Sequence, residues 1–223
     1  SVNFRQRNFT TGSSNAGALV SKATTLTVGG AIAIVRNSST TGELTVSSGT
    51  LTASNVEVTG GIFTNSGTVT ADALTIVGYL NYDDPTNLIR WAGGLNNLGT
   101  MTVAGLITMN DGLKIDVDSL GTVIVIDRLA STLTNSRTLS AGGVDLNDSG
   151  ILQNNGGVFT ITGDLEIGFG SVTNKAQLLI GGDLLSTETN YSGGPVINNS
   201  SILTVSGSLS LTGLNSSLNN TGG

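Results

Sequence analysis

Residues 49–66 read GTLTASNVEVTGGIFTNS, and residues 67–84 read GTVTADALTIVGYLNYDD. Laid one under the other, Leu51 falls on Val69, Ala53 on Ala71, Val56 on Leu74, Val58 on Ile76 and Ile62 on Leu80. Gly49 matches Gly67, and Gly60 matches Gly78, always at an offset of 18 residues. One step back, Leu44 precedes Ile62 at the same offset. Within a period the apolar residues stand two apart, with Thr, Ser, Asn or Glu between them. That is the alternation of a strand with one dry face. Thr and Val favour strands, and Gly at fixed offsets marks tight corners. Three short strands with their corners in about 18 residues make one coil of a β-solenoid, which buries its apolar face only by stacking on the next coil.

The rhythm returns in GLNNLGTMTVAGLIT (94–108), ILQNNGGVFTITGDLEI (151–167) and VINNSSILTVSGSLSL (196–211). KIDVDSLGTVIVIDRL (114–129) and AQLLIGGDLLS (176–186) read as further strands of the same stack. The expectation is an all-β chain: a parallel β-helix over residues 25–223, with about 18 residues per coil and one inserted loop. Roughly ten coils at ~4.8 Å each predict a rod of order 50 Å. A β-sandwich does not explain same-face matches at a constant offset.

GTLTASNVEVTGGIFTNSGTVTADALTI and GGLNNLGTMTVAG resemble the solenoid repeats of bacterial surface proteins, above all autotransporter passengers and filamentous-haemagglutinin-type adhesins. The likeness runs over residues 25–220 and is one of rhythm. It implies a right-handed β-helix, export and a surface or fibre role. It transfers no functional residue.

The third period fails to open on schedule, because Pro85 stands where a glycine is due, and the next match to Gly67 is Gly99. The surplus lies in YLNYDDPTNLIRWAGG, with an insertion placed at about 81–94. An insertion in a solenoid is a loop leaving one face. This one holds the only Trp of the chain, Trp91, with Tyr79, Tyr82, Asp83, Asp84 and Arg90. Aromatics beside an Arg suit a recognition surface, so these six residues form the candidate contact loop. The competing reading packs Trp91 and Leu88 back onto the solenoid wall.

Composition narrows the chemistry. The 223 residues include no Cys and no His, only 11 % are charged, and the net charge is −6. Thiol and imidazole chemistry and the usual transition-metal ligands are thereby removed. A chain short of Lys and Arg is a poor ligand for nucleic acid or an anionic membrane. No apolar run reaches the ~18 residues of a spanning helix. No charged-then-apolar leader opens the chain, so any signal peptide is expected to have been removed. A Ser-, Thr-, Asn- and Gly-rich surface suits an extracellular protein.

Carboxylate pairs occur at Asp83–Asp84, Asp116–Asp118 and Asp145–Asp148, but nothing in the repeat sets a pair across one sugar as a glycosidase needs. The oxygen-rich NDSG (147–150) and DVDSLG (116–121) match no calcium loop. No catalytic, cofactor or metal residue is therefore assigned. Thr-x-Thr recurs at Thr25–Thr27, Thr50–Thr52, Thr68–Thr70, Thr100–Thr102, Thr132–Thr134 and Thr160–Thr162. Some ice-binding solenoids present flat arrays of this kind. Here the insertion after Thr70 is expected to interrupt the array, and outward strand positions favour Thr in any case.

The two ends differ. SVNFRQRNF does not fit the repeat, so residues 1–24 read as a separate arm, with Val2, Phe4, Arg5, Arg7 and Phe9 as a strand available for polymerisation. At the other end Leu209, Leu211, Leu214 and Leu218 keep the rhythm and form an acceptor coil. The expected function is a non-enzymatic extracellular subunit that assembles head-to-tail with itself into a filament or matrix fibre. The alternative is a monomeric adhesin or stalk module within a larger passenger, with a cell surface or a carbohydrate as partner. Ice binding and polysaccharide cleavage are remoter alternatives.

Overall fold

The computed structural model describes residues 2–4, 9–11, 18–21, 25–35, 42–81, 89–117, 123–147, 149–187 and 194–222. No helix occurs among them. Strands stack in parallel into two principal sheets, one of thirteen strands and one of nine. The chain is a parallel β-helix, as the repeat predicts.

Each coil contributes a four-residue strand to the short sheet, then a longer stretch to the long sheet. In Thr68–Val77 the buried residues are Val69 and Ala71, then Leu74 and Ile76. The break in alternation at Asp72 and Ala73 is a corner, so one continuous strand serves two walls. Farther along the stack the same walls are separate strands, as in Val158–Ile161 and Leu165–Ile167. Strands Thr50–Thr59 and Thr68–Val77 pair as the sequence alignment reads, Leu51 with Val69 and Val58 with Ile76. Six inward columns result. Five are mainly apolar, and one runs from Val46, in register with Ser21, through Asn65, Asn97, Asn135, Asn154, Asn174 and Asn199, with Val46 and these asparagines all buried.

That column is the main structural feature the rhythm does not announce. Asn65 Nδ2 donates to Asn97 Oδ1 at 2.8 Å, Asn97 to Asn135 at 2.9 Å, and Asn135 to Asn154 at 2.9 Å. Asn154 donates to Asn174 at 2.8 Å, Asn174 to Asn199 at 2.7 Å, and Asn199 to Asn220 at 2.7 Å. Second amide protons reach backbone carbonyls, for example Asn97 Nδ2 to Thr138 O at 2.9 Å. A buried amide leaves fewer groups unsatisfied when both of its ends are bonded, and stacked identical coils supply the partner. Asn65 Oδ1 also accepts from Gly67 N at 3.0 Å, the Asx-turn that bends the chain into the corner.

Several expectations are corrected. Ile62 is 39 % exposed and Phe63 fully buried, so Leu44 pairs with Phe63 and Glu43 with Ile62. The turn after Val46 has one more residue than the turn after Asn65. A constant count of 18 therefore slips here by one residue, and in a strand one residue changes faces. The side chain of Leu80 lies outside those described. Coil length is not constant either. Successive ladder asparagines stand 32, 38, 19, 20, 25 and 21 residues apart.

KIDVDSLGTVIVIDRL is not a run of solenoid strands. Gly112–Val117 and Val123–Leu129 form an antiparallel hairpin, with Ile115 opposite Ile126. Period-two alternation does not distinguish parallel from antiparallel pairing. The five residues between the two runs do, since a parallel return needs a dozen or more. Among the described residues there are thus two inserted hairpins, where one inserted loop was expected.

The segment 1–24 is not a separate arm in its described strands. Val2–Phe4 pairs with Leu26–Val28, Phe9–Thr11 with Ile32–Ile34, and Ala18–Ser21 with Glu43–Val46, all in parallel. These strands form a coil of the stack, hidden from the sequence reading by offsets far from 18. The nine strands of the short sheet span roughly 40 Å at ~4.8 Å per step, somewhat shorter than ten coils predict.

The Thr-x-Thr array is not interrupted. Thr25, Thr50, Thr68, Thr100 and Thr138 stand in one column, and Thr27, Thr52, Thr70, Thr102 and Ser140 in the next. Thr132–Thr134 belongs to the short sheet. Thr160 continues the second column, while Thr162 turns at a corner and its hydroxyl donates to Ala141 O at 3.3 Å.

Candidate recognition edge

Each coil turns from the short sheet to the long sheet at the asparagine corner. It returns from the long sheet to the short sheet at a second corner. Both hairpins among the described residues leave at the second. In one coil the chain passes from Thr59 to Ile62 through Gly60 and Gly61 alone. In the next it leaves at Val77, forms the hairpin of Tyr79–Asn81 with Ile89–Trp91, and re-enters at Gly94. In the coil after that it leaves at Asn110 and re-enters at Thr132, and the hairpin Gly112–Val117 with Val123–Leu129 lies between. Residues 36–41 and 188–193 lie outside the described residues.

The hairpins arise from successive coils, and strand Gly112–Val117 lies against Tyr79–Asn81. Within the first hairpin Tyr79 stands opposite Trp91, and Leu80 opposite Arg90. The structure therefore brings together Tyr79, Arg90 and Trp91 of the sequence-predicted loop. Tyr82, Asp83 and Asp84 lie outside the described residues. The second hairpin brings Lys114 opposite Asp127 and Leu113 opposite Arg128. Sequence reasoning missed it as part of the edge. The signal was present in the spacing of Asn97 to Asn135, twice that of the shortest coils.

A polar anchor holds the base of the second hairpin to the following coil. Asn147 Nδ2 donates to Asn110 Oδ1 at 3.1 Å, and Ser149 Oγ to the buried Asp111 at 3.0 Å. Two members of the NDSG segment thus have a structural use.

The remaining sequence-predicted residues are dispersed. Val2 and Phe4 lie in one strand and Phe9 in another, paired with their own chain, while Arg5 and Arg7 lie outside the described residues. On the last described coil Leu209 and Leu214 are 51 % and 68 % exposed, Leu218 is exposed, and Leu211 packs partly on the core. Asp164 and Asp183 line a third corner as structural acids. Asp164 Oδ1 accepts from Asp183 N at 2.7 Å, and Asp183 Oδ1 from Ser208 N at 2.6 Å. A groove of about 320 Å³ beside them is lined by Asp145, Asp164 and Glu166 among glycines. No cluster of three or more metal-ligating His, Cys, Asp or Glu occurs among the described residues. Comparison with family models, with curated proteins and with solved structures found no match to this chain.

Proposed function

We propose that the chain is a non-enzymatic, extracellular β-solenoid stalk that presents a recognition edge, the role of an adhesin-type module. One observation carries this reading: extra chain length is gathered at a single corner of successive coils, while the opposite corner keeps a nearly constant length. A scaffold that varies along one line and nowhere else suits contact with a partner along that line. A Tyr opposite a Trp, with an Arg between them in sequence, is the composition that contact surfaces favour. A cell surface or a carbohydrate is the partner class that fits.

The filament reading is less favoured, because the N-terminal strands proposed to cross to a second subunit pair with Leu26–Val28 and Ile32–Ile34 of their own chain. The test compares the full chain with a variant in which residues 79–92 are deleted, joining Gly78 to Gly93. Both are applied to a glycan array and to cultured host cells. Binding by the full chain that is lost in the variant, at unchanged circular dichroism, supports the recognition edge. Equal binding by both overturns the role of this hairpin. Long threads of the full chain by negative-stain imaging, with no binding in either assay, return the filament reading.

A further inference from the structure

The outer face of the long sheet, between the asparagine corner and the mid-sheet corner, carries the two threonine columns. In sequence the insertion divides this array after Thr70. The structure rejoins it, because the hairpins leave from the opposite end of the strand. Thr68 stands in register with Thr100 across 32 residues, and Thr100 with Thr138 across 38. Register shifts occur in these pairings only beyond Val28 and Val103, past the Thr-x-Thr tripeptides. The array is therefore an unbroken net of five coils by two columns.

We propose that this face binds the surface of ice. The net repeats at ~4.8 Å from coil to coil and ~6.6 Å from one outward residue to the next along a strand. Hexagonal ice presents surface oxygens in a two-dimensional lattice whose shorter repeat is close to the coil spacing, and outward side chains bridge the difference along the strand. Each threonine offers one hydroxyl, which takes a water position, and one methyl, which fills a void between waters. A β-branched side chain has few rotamers to lose, and the strands beneath are fixed by the core. Ordering the face against a solid therefore costs little.

The chemistry of the face excludes the common alternatives. None of the outward positions in these two columns is charged, including Val158, Gln177, Leu179 and Ile202 farther along the stack. Strongly hydrated charges would impose their own water structure. None is aromatic, so the stacking platform of a sugar-binding face is missing. The aromatic and Arg anchors of a protein interface are missing too. The four central threonines, 68, 70, 100 and 102, are exposed. Arg137 lies at the border, in the turn before Thr138.

The test uses the full chain and measures crystal habit and the gap between melting and freezing in a nanolitre osmometer. Thr70→Tyr places a bulky ring at the centre of the net, on the solvent side, without touching the core. Thr173→Tyr, on the outer face of the short sheet, is the control. Faceted crystals and a freezing gap for the parent and the control, both lost in Thr70→Tyr at an unchanged melting temperature, support the proposal. Round crystals and no gap for the parent overturn it. Equal activity in Thr70→Tyr overturns the assignment to this face. Pull-down on powdered cellulose or chitin that is sensitive to Thr70→Tyr, without any effect on ice, replaces ice by a crystalline polysaccharide. A dimer by sedimentation that Thr70→Tyr dissociates, again without effect on ice, makes the face a self-contact. The hairpin deletion above leaves the net intact, so the failure of one proposal is distinguishable from failure of the other.

Discussion

The two corners that join the sheets obey different rules. At the asparagine corner every described turn has two or three residues, and the backbone ladder runs through it without a gap. Leu98 N donates to Asn65 O at 2.7 Å, Ser136 N to Asn97 O at 2.9 Å, and Asn155 N to Asn135 O at 2.8 Å. Inside the turn the buried amides form a second ladder. Outside it, glycines let the coils approach: a Cβ on Gly99 would run into the Gly67 carbonyl oxygen. Gly157 combines such a clash, with Arg137 O, with a φ of +67° that side chains rarely adopt. At the extrusion corner the side-chain bonds join one pair of coils, Asn147 to Asn110 and Ser149 to Asp111, with no ladder through every coil among the described residues, and the chain can leave and return. A corner satisfied from within varies by a single residue, whereas one satisfied mainly at its two feet accepts a hairpin.

The sharpest way to break this contrast is to insert four Gly/Ser residues at each corner. Between Asn97 and Thr100 the insertion removes ladder bonds of ~1 kcal/mol each and strands buried amides at ~1–3 kcal/mol each, a loss above about 5 kcal/mol in all. Between Gly60 and Gly61 the loss is expected to stay within about 1 kcal/mol, since loop closure depends weakly on length. Chemical denaturation checks both. Equal losses would erase the distinction between the corners.

The strand that links the corners gives the next effect. Phe63→Ala should cost about 3–5 kcal/mol, as truncation of a buried aromatic does. Ile62→Ala, one residue away on the wet face, should change stability by about 0.5 kcal/mol or less. A reversed order in their melting temperatures would mean that the short sheet is offset by one residue.

Asn135→Val tests the inner ladder without a steric change of kind, because Val46 already occupies this column in an earlier coil. It leaves Asn154 Oδ1 without its donor from Asn135, and Asn97 Nδ2 with Thr138 O but without its side-chain acceptor. The expected loss is about 2–4 kcal/mol, read by urea denaturation. A neutral result would mean that the corner is held by the backbone ladder alone. The smallest effect belongs to the edge itself: removing residues 79–92 should shift stability by no more than about 1 kcal/mol. A larger drop would make the first hairpin part of the solenoid's support.

The stacked rhythm of residues 49–84 was enough to read an all-β parallel solenoid, the pairing of Leu51 with Val69 through Val58 with Ile76, and the inward place of eight of the ten core residues first aligned. Those are local properties: alternation assigns faces, and a repeated offset assigns neighbours. The first hairpin was legible for the same reason, since it breaks the offset. What stayed hidden depends on which segments meet. Alternation is identical in a coil strand and in a hairpin strand, so in sequence Gly112–Val117 and Val123–Leu129 look like members of the stack. An asparagine before a turn reads as solvent-exposed punctuation until the next coil places another amide 2.8–2.9 Å away. Thr68 and Thr100 are separated by an insertion in sequence yet adjacent in space, because the hairpin leaves from the other end of their strands. Sequence order records how much chain lies between two coils, and only the folded stack decides at which corner that chain goes out.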